Sequence, residues 1–239
     1  MEKPAIIEVL ESAHLAHQAG DFVNALSFYE HFFDHALDDD PYALYGVRLS
    51  HCLNGWAELA TVFPGAKQRL DAKKQNLLDE YFRHREPERF HDYLNVSRVL
   101  GLEQDALEQF LAFQQREPKS AAKLSKFVWD LLVQNAHWRV CSDLLQEPKH
   151  KLEELFAVFD EAAKMKDVDP VFDDIKFDRH IVTTLLDGVQ DLITVLRNSH
   201  RSEEIAALNS QFKAALAQRE HAELQRQSHA KSTFLFAGH

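Results

Sequence analysis

Histidine supplies most of the chemically active groups in this chain, with fourteen among 239 residues. Two pairs stand at the spacing of one helix face, His14 with His17 and His31 with His35. Zinc is the chemistry such pairs would serve, and it needs three or four convergent ligands. Asp34, the nearest carboxylate to the second pair, does not share the face of both histidines, and no His-Glu-x-x-His pattern occurs. The histidines therefore read as surface or groove residues, and no metal site is assigned.

Two aspartate clusters invite the same question: Asp38-Asp39-Asp40, and Asp173-Asp174 with Asp178 four residues on. They resemble the metal-binding aspartates of all-helical isoprenoid enzymes. The first is better explained as a helix end running into an Asp40-Pro41 cap, and the second has no matching motif elsewhere. Cys52 and Cys141 are the two cysteines, which fits a reducing compartment. Neither a glycine-rich phosphate loop nor a Gly-x-Ser-x-Gly elbow is present. No catalytic residue, cofactor site or metal site follows from the sequence.

Charge narrows the partners. Lys and Arg number 27 against 38 Asp and Glu, a net charge of -11, which repels a phosphate backbone and an anionic membrane surface. Nucleic acid and membrane are thus not expected as partners. Nine of the acids lie between Glu153 and Asp178, as a solvated face or a docking patch for a basic partner. Lys67, Arg69, Lys73, Lys74 and Arg83-His84-Arg85 form the most basic stretch, but Asp71, Asp79, Glu80, Glu86 and Glu88 interleave with them, predicting pairs four residues apart on an exposed helix. The N-terminal stretch lacks a signal-peptide pattern and no apolar run approaches the ~20 residues of a membrane helix, so a cytoplasmic protein is expected.

These side chains need helices to hold them. Proline is tolerated in the first turn of a helix and excluded from its interior, so Pro4, Pro41, Pro64, Pro87, Pro118, Pro148 and Pro170 predict helix starts. Segments 4–40, 87–117 and 118–147 have room for two helices each, broken near Gly20, Gly101 and Asn135. Segments 41–63, 64–86 and 148–169 fit one apiece. Val182, Leu185, Val189, Leu192 and Leu196 form one stripe, and Ile205, Leu208, Phe212 and Ala215 another, with a loop over 198–202 and Ser202 as N-cap. About ten or eleven helices result, with no alternating strand pattern. Phe234-Leu235-Phe236 follow a polar helix end and predict docking of the tail on its own chain or on a second one.

The strongest pattern is a repeat. Ala25 and Ala106 each stand five residues after a glycine, Gly20 and Gly101, and four before an aromatic ring, Tyr29 and Phe110. Cys141 follows Ala106 by 35, near the ~34-residue tetratricopeptide period. The segment Pro87–Pro118 resembles a tetratricopeptide repeat, with Phe90 and Phe110 as its large aromatics, Gly101 in the turn, Ala106 as the small residue and Pro118 as terminator. Leu94 stands where that family prefers Gly and Phe113 where it prefers Ala. Trp56-Ala57-Glu58-Leu59-Ala60 with Phe63-Pro64-Gly65-Ala66 resembles a helix-Pro-helix stretch of uncharacterised bacterial proteins related to such repeats.

The resemblance implies an all-α, right-handed α-α superhelix closed by a C-terminal hairpin. Residues 1–150 would hold the repeats, with an inserted helix pair over 41–86, and 151–239 the acidic helix, hairpin and tail, packed as one continuous domain. It implies a concave groove for a peptide or protein, lined by His14 and His17, then His91, Asn95 and Arg98, then Lys123, Lys126 and Asp130. A clamp for a C-terminal carboxylate is not expected, because His14 replaces its first Asn and Phe127 a cation. Arg98, Lys123 and Lys126 could still grip an acidic peptide. Two alternatives stay open: a helical enzyme or ligand-binding or metal-binding protein with a pocket between groove and hairpin, and a structural subunit that forms a homodimer through hairpin and tail.

Overall fold

Each proline whose surroundings are described begins a helix, and each turn glycine ends one. In a computed structural model, which describes residues 5–38, 44–168 and 175–236, with side chains described to 165 and over 175–219, the chain is all helical and no strand occurs among the described residues. Eleven helices follow in order among the described residues. They are α1 (Ile6–Gln18), α2 (Phe22–His35), α3 (45–62, in the pieces Tyr45–Val47, a π-helical turn Arg48–Cys52 and Leu53–Val62), α4 (Pro64–His84) and α5 (Pro87–Val99). After them come α6 (Glu103–Arg116), α7 (118–134, with a 3₁₀ turn at Ala122–Leu124), α8 (Trp138–Leu144), α9 (Pro148–Val168), α10 (Ile175–Asn198) and α11 (Glu203–Phe236). Pro64, Pro87, Pro118 and Pro148 each occupy the first helical position, where the missing N–H leaves no bond unmade. Pro4, Pro41 and Pro170, the Asp40 cap, Asp39 and Asp173-Asp174 lie outside the described residues, as do the side chains of the Phe234-Leu235-Phe236 tail.

Two helix pairs share the same lengths and the same turn. Helices α1 and α2 have 13 and 14 residues, α5 and α6 also have 13 and 14, and their starts, Ile6 with Pro87 and Phe22 with Glu103, all stand 81 positions apart. Three-residue turns join both pairs. In each the residue after the C-cap is left-handed, Gly20 at φ 78° and Gly101 at φ 70°. The following N–H reaches back five residues, Asp21 to Ala16 O at 2.9 Å and Leu102 to Ser97 O at 2.8 Å, which closes the open end of the first helix. The α7–α8 turn repeats this with Ala136 at φ 58° and His137 N–H to Leu132 O at 2.9 Å. That break falls one residue beyond Asn135. Five residues after each left-handed position Ala25, Ala106 and Cys141 are completely buried.

The chain divides into two compact units, Met1–Val128 and Trp129–His239; from sequence the boundary is set at 150/151. In the first unit every helix packs on the next, and α5 also packs on the last piece of α3 and on the 3₁₀ turn of α7. Its core is aromatic: Tyr29, Phe32, Trp56, Tyr81, Phe90, Phe110 and Phe113 are fully buried or nearly so. Phe113, large where the repeat family has Ala, meets the rings of Tyr81 and Phe82 at 5.6 and 5.5 Å and so joins α6 to α4. Trp56 Nε1 donates to Ala66 O at 3.2 Å across the Phe63-Pro64 corner.

In the second unit α9, α10 and α11 pack on one another and α8 packs on α10. Leu185, Val189, Leu192 and Leu196 are buried as expected, but Val182 is exposed and Ile181 takes its place. The stripe drifts by one residue because a 3.6-residue period does not hold a strict 3-4 spacing over 14 positions. Arg201, on the α10–α11 turn, donates to the end of α8 at Leu145 O, 2.7 Å, and to Glu204.

Ala106→Leu forces extra volume into a site with no exposed surface and is expected to cost about 1–3 kcal/mol, read as a lowered melting temperature. The turns give an opposite pair: Gly101→Ala should cost about 1 kcal/mol, and Ala136→Gly should stabilise by about 0.5 kcal/mol because a left-handed residue loses its Cβ strain. Equal effects of the same sign at both positions would rule out a shared turn geometry.

Candidate functional site

Two clefts flank α3 in the first unit. The first has a volume of about 630 Å³ and is lined by Phe33, Leu37, Tyr45, Leu77 and Phe127, by the acids Asp34, Asp38, Glu80, Glu86, Glu88 and Asp92, and by Arg48, Lys73, Arg89 and Lys126, with Asn76. Arg48 is its central residue. It begins the π-helical turn of α3, a local widening of the helix that recurs at functional sites, and its side chain is 4% exposed. The guanidinium pairs with Asp92 of α5 through Nη2, while Nη1 lies 3.5 Å from Phe33 O. Its Nε–H has no acceptor among the described residues.

Burial raises the Asp92 carboxyl above its ordinary range even though the Arg48 charge and hydrogen bond pull it down. For this carboxyl, desolvation thus outweighs the attraction of Arg48.

Aromatic rings and cations alternate outward from Arg48. The guanidinium carbon sits 4.4 Å from the Phe33 ring centre and 5.6 Å from that of Tyr45, and Lys73 covers Phe33 at 5.8 Å. Tyr45 stacks on His91 at 5.8 Å, His91 on Phe127 at 4.3 Å, and Lys126 caps Phe127 at 4.6 Å. The Tyr45 hydroxyl and His91 Nδ1 are 2.7 Å apart. Burial, followed by the charges of Arg98, Arg48 and Lys126, pushes His91 down to about 4, while burial pushes Tyr45 up to about 12. Both are neutral at pH 7, so a single hydrogen bond joins phenol and imidazole, its direction set by the His91 tautomer.

The second cleft, about 550 Å³, is polar and lined by His14, His17, Gln18, Tyr29, His51, Asn54, Gly55 and Glu58. Tyr29 Oη lies 3.5 Å from His17 Nδ1, and the His14 and His17 rings stand edge-on to Tyr29 at 5.6 and 6.2 Å. Gly55 is required here: a Cβ on it would fall 2.6 Å from the Tyr29 hydroxyl. Among the described residues no group of three or more His, Cys, Asp or Glu could hold a metal ion. His35 is bonded to Asp38 at 2.8 Å and Asp34 to Lys73 at 2.7 Å.

The eight groove residues read from sequence are thereby distributed. His14 and His17 line the second cleft and Lys126 the first. His91 is half-buried between two rings that line or adjoin the first cleft. Asn95 is buried, its amide donating to His91 O at 2.8 Å and accepting from Arg98 at 2.9 Å, so it braces Arg98. Arg98 is exposed and faces Glu103 at 3.3 Å. Lys123 is exposed in the first unit, and Asp130 is exposed in the second.

Arg48, Tyr45 and Asp92 are absent from the sequence reading, since nothing local marks an arginine as buried when its carboxylate lies 44 residues away. The basic helix α4 also differs: Lys67 pairs with Asp71 at 2.9 Å within the helix, but Lys73 and Arg69 cross to Asp34 and Glu30 of α2. Both cysteines are buried and their thiols are pushed up to about 12 by burial, so neither is a thiolate at neutral pH. No helix among the described residues is long and apolar enough to cross a membrane. Comparison with family models, with curated proteins and with solved structures returns no match.

His91 gives the first unit a pH dependence of defined sign. Unfolded, the imidazole titrates near 6.5, and folded near 4, so between these values the unfolded chain holds the extra proton. Stability contributed by the neutral ring is complete above pH 6.5 and lost as pH falls toward 4, by about 1–2 kcal/mol after discounting for partial exposure. Urea unfolding of the parent and His91→Phe at pH 7 and pH 4.5 checks this: the variant should lose less stability between the two than the parent.

Proposed function

We propose that this chain is a tetratricopeptide-like repeat module, a right-handed α-α superhelix that binds a peptide or protein along the face formed by the first helices of its pairs. Its role is binding rather than catalysis. The observation that carries the reading is the register of the helix hairpins: 13- and 14-residue helices joined by the same left-handed turn recur 81 residues apart, and the turn recurs again 35 residues later before Cys141. Stacked hairpins of this kind bury their small residues against neighbours and leave one face of each first helix open. The packing of α3 on α5 and of α5 on α7 is what such stacking requires.

The polar residues on those first helices then become the recognition surface. His14 and His17 of α1, His51 and Glu58 of α3, Arg98 of α5 and Lys126 of α7 are half-buried or exposed, and five of these six line the two clefts. Asn95, holding the Arg98 guanidinium at 2.9 Å, lowers the entropy that Arg98 would lose on meeting a partner.

Affinity capture from the native host, with Arg98→Glu and Lys126→Glu as variants, tests the reading. Both positions are exposed, so each change should move stability by no more than ~0.5 kcal/mol while recovery of the partner changes several-fold, falling for an acidic segment and rising for a basic one. Recovery unchanged by both variants would falsify the assignment of this face.

A further inference from the structure

The first cleft combines two demands that few ligands meet together. Its rim carries five carboxylates, Asp34, Asp38, Glu80, Glu86 and Glu88, against three cations, Lys73, Arg89 and Lys126. Lys73 is taken up by Asp34, and Arg89 lies 3.4 and 3.5 Å from Glu80 and Glu86. Asp38 has His35 as its partner, and among the described residues the Glu88 carboxylate has no hydrogen bond or ion pair. Lys126 is held over the Phe127 ring. The rim is left with an excess of negative charge in a protein whose net charge is already -11, which attracts cations.

The floor makes the opposite request. Arg48 lines the cleft, is 4% exposed and keeps a buried Nε–H that has no acceptor among the described residues. A buried donor without a partner is costly, so the site favours a ligand that brings an oxygen acceptor inward. Between floor and rim lie Leu37, Tyr45, Leu77 and Phe127, apolar surface suited to the methylene stem of a lysine or arginine side chain.

We propose that this cleft docks a lysine- or arginine-rich peptide segment, its cationic heads on the rim carboxylates and one main-chain carbonyl facing the Arg48 guanidinium. The inference rests on the peptide-binding reading above and specifies the charge class of the partner, opposite to the acidic peptide that Arg98, Lys123 and Lys126 suggest from sequence. A simple polyamine satisfies the rim but offers no acceptor to Arg48. A glutamate-rich peptide offers acceptors but meets the rim with like charge.

Fluorescence anisotropy of the full chain with a labelled peptide of alternating lysine and alanine, blocked at both ends, tests it, with the glutamate counterpart as second probe and spermine as competitor. Saturable binding of the lysine peptide is expected, weakened fivefold or more by Glu88→Lys. Glu203→Lys, a matched charge change in the first turn of α11 in the other unit, should leave it within twofold. Since Arg48 alone cannot be removed without stranding Asp92, the double variant Arg48→Met with Asp92→Leu is used; it should weaken the peptide and leave spermine binding unchanged. Equal loss with Glu88→Lys and Glu203→Lys, or equal competition by spermine and peptide, overturns the site. Binding of the glutamate peptide in preference, or of neither peptide while host capture still depends on Arg98 and Lys126, overturns the basic class and leaves the peptide-binding reading standing.

Discussion

Reversing the chain in three residues without stranding helix-end carbonyls is the constraint from which the architecture follows. After Gln18 and Val99 the chain must close the last turn of one helix and open the next within Ala19-Gly20-Asp21 and Leu100-Gly101-Leu102. One left-handed residue does this, because it swings the next N–H back onto the carbonyl five residues earlier. The two helices then leave the turn close together and antiparallel, and a residue five positions on is pressed into their junction. Ala25, Ala106 and Cys141 are small and fully buried for that reason. The α10–α11 turn, with His200 at φ 60° and Arg201 N–H on Leu196 O at 2.8 Å, uses the same device.

Tight hairpins leave the joints between pairs to be filled by larger groups, and here the chain uses aromatics. Tyr81, Phe82, Phe90 and Phe113 meet at ring distances of 5.1 to 5.6 Å, and the Arg85 guanidinium covers three of these rings from the left-handed position that ends α4. Near α3 the joint is filled by Arg48 with Asp92 and by the stack of Tyr45, His91 and Phe127. A buried ion pair contributes less to stability than apolar side chains of the same volume would. The charge of Arg48 is thus poorly accounted for by packing alone, and its Nε–H, unpaired among the described residues in the lining of a cleft of about 630 Å³, is the part that packing leaves open.

The parts legible in the sequence are those governed by local rules. Pro64, Pro87, Pro118 and Pro148 gave their helix starts because proline acts within one turn, and Gly20 and Gly101 gave their turns because only glycine adopts φ near +70° without strain. Ala136 carries the same conformation with no residue signature, so the third break could be placed only nearby. Arg69 and Lys73 looked like members of pairs within α4, since intrahelical spacing is all that a sequence displays; their acids lie 39 residues away on α2. Arg48 and Asp92 were invisible for the same reason. Among the residues read from sequence as lining a groove, Asn95 is buried, and its burial depends on how α5 packs and not on its own spacing.

Net charge is likewise a property of the chain that says little about where a partner would sit. Many acids of the first unit are spent on fixed pairs, Glu30 with Arg69, Asp34 with Lys73 and Glu117 with Arg85. Such exposed pairs contribute at most about 1 kcal/mol each, but they cancel the field of their members. What remains to steer a ligand is the residue of this cancellation, and part of it stays on the rim that carries Glu88 and Asp38, above the Arg48 Nε–H that has no acceptor among the described residues. A ligand selected by that rim must carry positive charge outward and an oxygen inward, which a basic stretch of polypeptide does in every residue.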